Sequence, residues 1–277
     1  MLVAMNEILQ NAFKEGYGIA APNVFNLETV EGAFECAAEM RSPLVIDCAE
    51  RFDLEAVAAL VKIFAERFSQ VPVALNLDHG KTYTSAVKAI RVGFTSVMVD
   101  RSQAVFEENL RETKEIVKMA HAVGVSVEAE LGHVGQGTDY QNSNTDAFTQ
   151  VDDAVRFVRE TEVDCLAVAI GTAHGRYAGT PKIDFHRLTE IRRNVAVPLV
   201  LHGGSSTGDE NLAKAVHLGI TKVNLATDLF SAGINKMQEY LANEEFPAGP
   251  IVARKYEQGY KNALRHYMAL FGSGDRI

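Results

Sequence analysis

The chain has 277 residues, a length typical of one α/β barrel, and its 47% hydrophobic and 23% charged residues indicate a soluble globular protein. Its net charge of −9 argues against a nucleic-acid-binding surface, although a few backbone amides and a metal can still hold a phosphorylated substrate. No apolar run reaches the ~18 residues that span a bilayer. Because the three cysteines also lack CxxC spacing, we expect a cytoplasmic protein that does not bind membranes.

Short apolar segments alternate with amphipathic ones along the chain, which is typical of βαβ units. The predicted strands are Gly18–Phe25, Pro43–Ala49, Val71–His79, Ser96–Asp100, Ser126–Gly132, Cys165–His174, Pro198–Gly204 and Lys222–Thr227. The predicted helices are Glu28–Met40, Leu54–Phe68, Ser85–Val92, Phe106–Ala122, Asp152–Glu160, Phe185–Arg193, Glu210–Leu218 and Leu229–Leu241. This alternation favours a (β/α)8 TIM barrel that occupies residues 1–277 as a single domain. An open doubly wound sheet is the alternative, but no GxGxxG motif supports its dinucleotide-binding form.

Three segments lie outside this alternation. Residues 1–15 are predicted to form a helix that closes the bottom of the barrel. Pro247–Gly272 is predicted to be a C-terminal helical extension. The polar segment Gly135–Thr149 is a long loop, and loops of that length in compact domains are usually functional or disordered.

Three of the eight histidines lie at the ends of predicted strands, namely His79, His174 and His202. The carboxyl ends of barrel strands form the active-site rim, so these imidazoles are expected to converge. Three imidazoles make a catalytic zinc site with one open coordination position. A single histidine at a strand end is often structural, but three at one rim favour the metal.

Carboxylates accompany the histidines on the same rim. Glu130 and Asp100 are candidate alternate metal ligands or partners that orient the imidazoles, and a buried ion pair with a rim lysine or arginine is the other interpretation. Asp78 precedes His79, and because successive strand residues point to opposite sides, we expect it to act as an acid or base and not as a ligand.

The glycine-rich turns after strands 6, 7 and 8 lead into helices, an arrangement that can cradle a phosphate with backbone N–H groups. A metal beside a phosphate site and a free aspartate suggests carbon–carbon chemistry on a sugar phosphate. A Schiff-base mechanism would need a lysine in the barrel mouth. Strand 6 contains none, and Lys222 is expected at the closed bottom.

Five segments in order resemble the class II fructose-bisphosphate/tagatose-bisphosphate aldolase family over nearly the whole chain. They are Asn76–His79, Glu128–Gly132, Ala169–Gly175, Leu201–Ser205 and Lys222–Asp228. The resemblance implies zinc on the three histidines, Asp78 as the residue that moves the proton of the C4 hydroxyl, and the alternate metal position at Asp100 and Glu130.

The same resemblance implies a site for the 1-phosphate end of a ketose, which is cleaved to dihydroxyacetone phosphate and an aldehyde. The implied residues of this site are Gly175, Gly203, Ser205, Asn224 and Thr227, and Asn224 would also contact the dihydroxyacetone unit. Asn23, at the end of predicted strand 1, is a further candidate substrate-binding residue. A structural monovalent cation, Na⁺ or K⁺, near this phosphate and a homodimer or homotetramer are further implications.

The chain departs from the family pattern in the loop after strand 5, where many members have Gly-Gly-x-Glu-Asp. This chain has Gly135–Tyr140, in which Asp139 is the candidate for the missing acid. Arg101 either binds an anion at the far end of the substrate or pairs with a carboxylate, and His133 either contacts substrate or caps the loop.

Three alternatives stay open at this point. A zinc-dependent hydrolase of a sugar phosphate would use the same metal to activate water. A non-catalytic aldolase-like subunit is the second alternative, although it would have no need for Asp78 and the histidines. The third keeps the aldolase and changes the substrate to a ketose 1-phosphate with an uncharged or acidic tail.

Overall fold

A computed structural model describes residues 1–138 and 147–277 of the chain. The strands are β1 Ile19–Pro22, β2 Leu44–Ala49, β3 Val73–Gly80, β4 Ser96–Val99, β5 Ser126–Leu131, β6 Cys165–Val168, β7 Leu199–Leu201 and β8 Ile220–Leu225. The helices are α1 Met5–Glu15, α2 Leu27–Met40, α3 Leu54–Arg67, α4 Tyr83–Val92, α5 Phe106–His121, α6 Val151–Thr161, α7 Phe185–Asn194, α8 Asp209–His217, α9 Thr227–Asn243 and α10 Gly249–Phe271.

The eight strands form one parallel sheet in which β1 pairs with β8 and every other strand pairs with its neighbours in the chain. Between β1 and β2 the sheet closes through a parallel bridge of Asn23 with Asp47, where the Val24 N–H donates to the Asp47 carbonyl at 2.9 Å. The structure therefore confirms the (β/α)8 barrel and excludes the open sheet.

Helix α1 closes the amino-terminal end of the barrel, as predicted. Its apolar face recurs every three to four residues, and it packs against inward-facing side chains of five strands. The helix contributes Met5, Ile8, Leu9 and Ala12, and the strands contribute Ile19, Ala21, Val45, Ala74, Cys165, Ala167 and Val200. Access to the barrel interior is consequently from the opposite, carboxyl-terminal end.

Helix α10 is the predicted C-terminal extension, and it packs against α9 and α2. Gly259 allows this close approach, because a Cβ at that position would lie 2.2 Å from the Ala232 carbonyl oxygen. The neighbouring Tyr260 is fully buried, and its hydroxyl donates to the carbonyl of Asn23 at 2.8 Å. The extension therefore fixes the backbone that follows β1.

Strands β6 and β7 are shorter than the sequence predicts. The chain leaves β6 after Val168 and turns at Gly171, whose φ of 105° is disfavoured for other residues. Both strands end where the parallel ladder gives way to the loops that carry His174 and His202. The polar residues at the barrel rim thus lie in loops that a hydrophobicity pattern extends into strands.

The prediction that Lys222 lies at the closed bottom of the barrel is wrong. Strand β8 begins at Ile220, which places Lys222 in its middle, and the side chain is fully buried in the barrel interior. Its ammonium group lies 3.1 Å from Asp47 on β2 and 2.9 Å from Glu128 on β5.

The three cysteines are buried free thiols. Within 1–138 and 147–277, no helix has both the length and the hydropathy needed to cross a bilayer.

Candidate active site

A cleft of about 700 Å³ opens at the carboxyl ends of the strands, and the three predicted histidines line it. A volume of this size suits a small-molecule substrate. His79 is the next-to-last residue of β3, His202 directly follows β7, and His174 lies in the loop after β6. The topology therefore brings together residues that are far apart in the sequence.

The three imidazoles face one another at the distances of a metal site. One ring nitrogen from each lies within 4.8 Å of the others, and His79 Nε2 lies 3.0 Å from His202 Nδ1. Ligand nitrogens around a tetrahedral zinc are about 3.3 Å apart, given Zn–N bonds of about 2.0–2.1 Å. The spacing therefore fits one metal ion shared by the imidazoles.

Carboxylates fix the orientation of two of these imidazoles. His79 donates from Nδ1 to Asp100 at 2.8 Å, and His202 donates from Nε2 to Glu128 at 2.8 Å. The other nitrogen of each ring then faces the position that a metal ion would share. Hydrogen bonds of this kind commonly orient metal-bound histidines. Two lone pairs that face each other at 3.0 Å need a cation or a proton between them.

The ionisation of the imidazoles follows from their neighbours. Burial alone would lower the pKa of His79, but the charge of Asp78 and the hydrogen bond to Asp100 outweigh it and raise the pKa to about 10. Burial and the charges of His202 and His79 lower the pKa of His174 to about 3. His174 is therefore neutral at pH 7, the form that can ligate a metal.

Glu130 lies at a second group of candidate ligands together with His79 and Asp100. Its Oε1 accepts the Val134 N–H at 3.1 Å, whereas its buried Oε2 has no hydrogen-bond partner among the described residues. A buried carboxylate oxygen without a donor is costly unless a cation or proton satisfies it. No lysine or arginine of the described chain pairs with Glu130, so the structural ion pair is not formed there, and burial raises the pKa of Glu130.

Asp78 lies beside the histidines and is held by two amides. Asn23 donates to its Oδ2 and Asn224 to its Oδ1, both at 3.1 Å. Burial would raise the pKa of Asp78, but the charges of His79, His202 and Lys222 and the hydrogen bond from Asn23 lower it to about 2. The carboxylate is thus ionised at neutral pH and oriented toward the cleft.

The expectation that Asp78 and His79 point to opposite sides is wrong. His79 has a φ of 53°, and the pairing of β3 with β4 is irregular between Leu77 and Gly80. This local distortion turns both side chains toward the cleft, where Asp78 Oδ1 lies 3.8 Å from His79 Nε2. The separation is too long for a hydrogen bond, and it places a carboxylate next to the metal position.

A buried polar network beneath the histidines is a feature that the sequence analysis missed. Lys222 contacts Glu128 and Asp47 and donates to Asn224 Oδ1 at 2.6 Å. Asn76 donates to Asp47 at 2.9 Å. The signal was available, because a charged residue in an otherwise apolar strand demands a buried partner.

The predicted phosphate site consists of the turns after β6, β7 and β8. Gly203 has a φ of 69°, and a Cβ there would lie 2.4 Å from the Ala173 carbonyl oxygen, so only glycine fits between the first two turns. Ser205 links the turn after β7 to the turn after β8, because its hydroxyl accepts hydrogen bonds from the N–H groups of Ala226 and Asp228 at 3.3 and 3.1 Å. Gly175 and Thr227 also line the cleft.

Helix α9 points its N-terminus toward this end of the cleft. Its N-cap, Ala226, offers no capping side chain, and the helix has the positive dipole end that attracts anions. The turns and this helix end together give the electrostatics that a phosphate requires.

The other predicted substrate contacts are distributed differently. His133 lines the cleft, and its Nδ1 lies 3.0 Å from the Ser102 hydroxyl, which also donates to Asp100. Arg101 pairs with Glu112 and lies 3.6 Å from Glu108 at the edge of a separate, smaller cavity. The carboxylate pairing foreseen for Arg101 is thus present, and Asp139 lies outside the described residues.

Three converging imidazoles with carboxylate partners and a neighbouring phosphate cradle define a (β/α)8-barrel enzyme whose site is built for a metal. The family model for class-II fructose-bisphosphate aldolase matches residues 3–276, and the chain belongs to that family. It is therefore a class II aldolase, an aldehyde-lyase, and the hydrolase and non-catalytic alternatives lose their basis.

Individual relatives agree with this assignment. The chain is 42% identical to the fructose-bisphosphate aldolase of Helicobacter pylori strain J99 over 310 residues and 40% identical to that of Thermus caldophilus over 308. Both alignments cover 100% of each chain. The crystal structure of the YdjI aldolase from Escherichia coli K12 superimposes with a TM-score of 0.89 at 33% identity, covering 100% of this chain and 99% of that one.

Proposed function

We propose that this aldolase reversibly cleaves a ketose 1,6-bisphosphate of the fructose or tagatose type, or a related ketose 1-phosphate, to dihydroxyacetone phosphate and an aldehyde. The observation that carries the proposal is the position of Asp78, which lies between the three histidines and the two amides of Asn23 and Asn224. The names of the relatives from Helicobacter pylori and Thermus caldophilus support a bisphosphate substrate.

The residues present fit a zinc ion. His79, His174 and His202 would hold it, and Asp100 and Glu130 would serve the alternate metal position. When bound, zinc supplies a Lewis acid that polarises the ketose carbonyl and stabilises the negative charge released by carbon–carbon cleavage.

The protein side chains then supply proton transfer and orientation. Asp78, ionised and held by two amides, takes the proton of the C4 hydroxyl as the C3–C4 bond breaks. Asn224 also contacts the dihydroxyacetone unit, and Asn23 and His133 line the rest of the cleft. We assign the reprotonation of the three-carbon product to an acid of the loop after β5, for which Asp139 is the candidate.

The 1-phosphate binds at the turns that contain Gly175, Gly203 and Ser205, against the N-terminus of α9. The family resemblance leads us to include a monovalent cation, Na⁺ or K⁺, near this phosphate.

We propose in addition that the enzyme is a cytoplasmic homodimer or homotetramer. Ile234 and Leu241 lie on one face of α9 and are 42% and 40% exposed, and Phe246 nearby is 80% exposed. Exposed apolar residues on one helix face are a common feature of protein–protein interfaces. Light scattering during size-exclusion chromatography measures the state directly.

The first test is release of dihydroxyacetone phosphate from a panel of ketose phosphates, measured with a coupled assay. We expect a chelator to abolish this release, because the substrate carbonyl of the metal-free enzyme has no Lewis acid. Added zinc should restore it. Release that a chelator leaves unchanged would contradict the proposal. Inorganic phosphate without aldehyde would instead indicate a hydrolase.

The pH dependence of zinc binding tests the ligand role of His79. Its Nε2 must lose a proton to bind a metal, and its pKa of about 10 means that the proton competes throughout the neutral range. We expect the apparent zinc affinity of chelator-treated enzyme to rise about tenfold per pH unit between about pH 6 and pH 8.

A competition titration with a chromogenic chelator at several pH values measures this slope. The Asp100→Asn variant is the comparison, because it removes a carboxylate charge that helps to raise the pKa of His79, and its slope should be shallower. Equal affinities at all pH values for the parent would contradict the role of His79.

A further inference from the structure

Two cations of the catalytic cleft, Arg51 and Lys81, have no partner in the chemistry described so far. Arg51 lies in the loop after β2 and Lys81 directly follows β3, and both side chains are exposed and line the same cleft as the histidines. The chain has a net charge of −9, so the positive charge of these two side chains is specific to the cleft and does not reflect the charge of the whole protein.

The order of the strands places these cations across the barrel from the phosphate turns. In the closed ring of eight strands, β2 lies opposite β6 and β3 lies opposite β7. The turns after β6 and β7 carry Gly175 and Gly203, so a substrate whose 1-phosphate binds there extends past the histidines toward Arg51 and Lys81. The end of the substrate remote from its 1-phosphate belongs to the half that is released as the aldehyde.

Neither cation is neutralised by the described residues. No carboxylate lies within 4.0 Å of either charged group there, whereas the nearby Arg101 and Arg111 are both paired with Glu112. Glu50, which also lines the cleft, already accepts hydrogen bonds at both oxygens. The Ser85 hydroxyl donates to Oε1 at 2.5 Å and the Lys81 backbone N–H donates to Oε2 at 3.2 Å.

The same contacts fix where the cations lie. Glu50 ties the loop after β2 to the segment after β3. The guanidinium of Arg51 stacks 4.7 Å above the ring of Phe52, which in turn packs against Phe25 with ring centroids 5.5 Å apart. Stacking leaves the N–H edge of a guanidinium available, and this planar edge suits the oxygens of a carboxylate or phosphate.

We propose that Arg51, assisted by Lys81, binds an anionic group at the end of the aldehyde half of the substrate, and so selects ketose 1-phosphates that carry a second anion. This inference rests on the proposed aldolase reaction. The second anion is a terminal phosphate or a terminal carboxylate, since both offer the same oxygens to a guanidinium.

Three substrates distinguish the possibilities: fructose 1,6-bisphosphate, fructose 1-phosphate, and a ketose 1-phosphate that ends in a carboxylate. We expect the parent enzyme to prefer one of the two substrates that carry a second anionic group over fructose 1-phosphate. The preferred one identifies the second anion as phosphate or carboxylate.

The variants Arg51→Gln and Lys81→Gln test the residues. For the preferred substrate we expect Arg51→Gln to lower kcat/KM about 10- to 100-fold, the loss of one charge-assisted contact, and Lys81→Gln to lower it less. For fructose 1-phosphate the change should be less than about threefold, because the lost contact has no counterpart there. Lys88→Gln removes the same charge from an exposed position of α4 outside the cleft and should change neither.

Thermal unfolding of all three variants should match the parent, since these side chains are exposed. Equal loss on all substrates in Arg51→Gln, or a parent enzyme that cleaves fructose 1-phosphate as well as the others, would overturn the inference and leave the aldolase reaction intact. Failure of every substrate to release dihydroxyacetone phosphate would instead refute the proposed function.

Discussion

Replacing Asp78 with alanine is expected to lower kcat by about 10²- to 10⁴-fold, the usual contribution of a positioned acid or base. The carboxylate is 6% exposed, ionised, and oriented by Asn23 and Asn224, so no other described carboxylate can take its place without moving. Because Asp78 Oδ1 lies 3.8 Å from His79 Nε2 and is not required as a ligand, the variant should keep its zinc.

Two measurements separate this role from a structural one. Zinc content by atomic emission and substrate binding by calorimetry should both stay near the parent values while turnover is lost. Asp153→Asn, which removes a carboxylate from an exposed position of α6, serves as the control for charge. An Asp78→Ala enzyme with its zinc and an undiminished cleavage rate would exclude Asp78 as the proton acceptor.

The barrel and its metal position could be read from the sequence because both depend on simple periodic features. Buried parallel strands are continuous apolar runs, and the rim is reached where such a run gives way to polar residues. His79, His174 and His202 each occur at that point, so their convergence follows from the topology alone.

The facing of individual side chains could not be predicted in the same way. Strict alternation would separate Asp78 from His79, but the positive φ of His79 breaks the alternation and brings both into the cleft. A backbone distortion of one residue leaves no mark on a hydrophobicity pattern. The pattern also extended β6 to His174, although the chain already turns at Gly171.

Pairings between distant charges are a second limit of the sequence. Arg101 and Arg51 are both arginines that follow a strand, and nothing local distinguishes them. In the structure Arg101 pairs with Glu112 on α5, whereas Arg51 stacks on Phe52 and lines the cleft. The partner of an arginine depends on tertiary contacts, and the strand order alone does not specify which side chains meet.

Replacing Lys222 with methionine is expected to reduce the free energy of unfolding by about 3–5 kcal/mol, because it leaves two buried carboxylates without their cation. Asp47 and Glu128 are both fully buried and both lie within 3.1 Å of the ammonium group. Activity should fall as well, since Lys222 fixes Asn224, which donates to Asp78, and Glu128, which orients His202. Urea unfolding at a fixed free zinc concentration, together with kcat, measures both effects.

The pH dependence gives the sign of the effect. Without Lys222 the buried carboxylates have a folded-state pKa well above their unfolded values of about 3.9–4.3, so the variant loses stability as the pH rises from about 4 toward that folded-state pKa. In the parent, burial raises the pKa of Asp47 to about 7, but the charge of Lys222, which stays protonated, opposes that rise and helps to keep the pKa of Glu128 lowered. The difference in unfolding free energy should therefore be larger at about pH 8 than at about pH 5.5.

A matched series identifies the charge as the cause of this loss. The triple variant Lys222→Met, Asp47→Asn, Glu128→Gln removes both unpaired carboxylates at nearly constant volume. It should regain most of the lost free energy of unfolding, and the additional pH dependence of the single variant should disappear. Lys62→Met, at an exposed position of α3, should change the free energy of unfolding by less than about 0.5 kcal/mol. If the triple variant were as unstable as the single one at every pH, the loss would come from packing, and the role of Lys222 as the cation that holds the acid–base and metal halves of the site together would have to be abandoned.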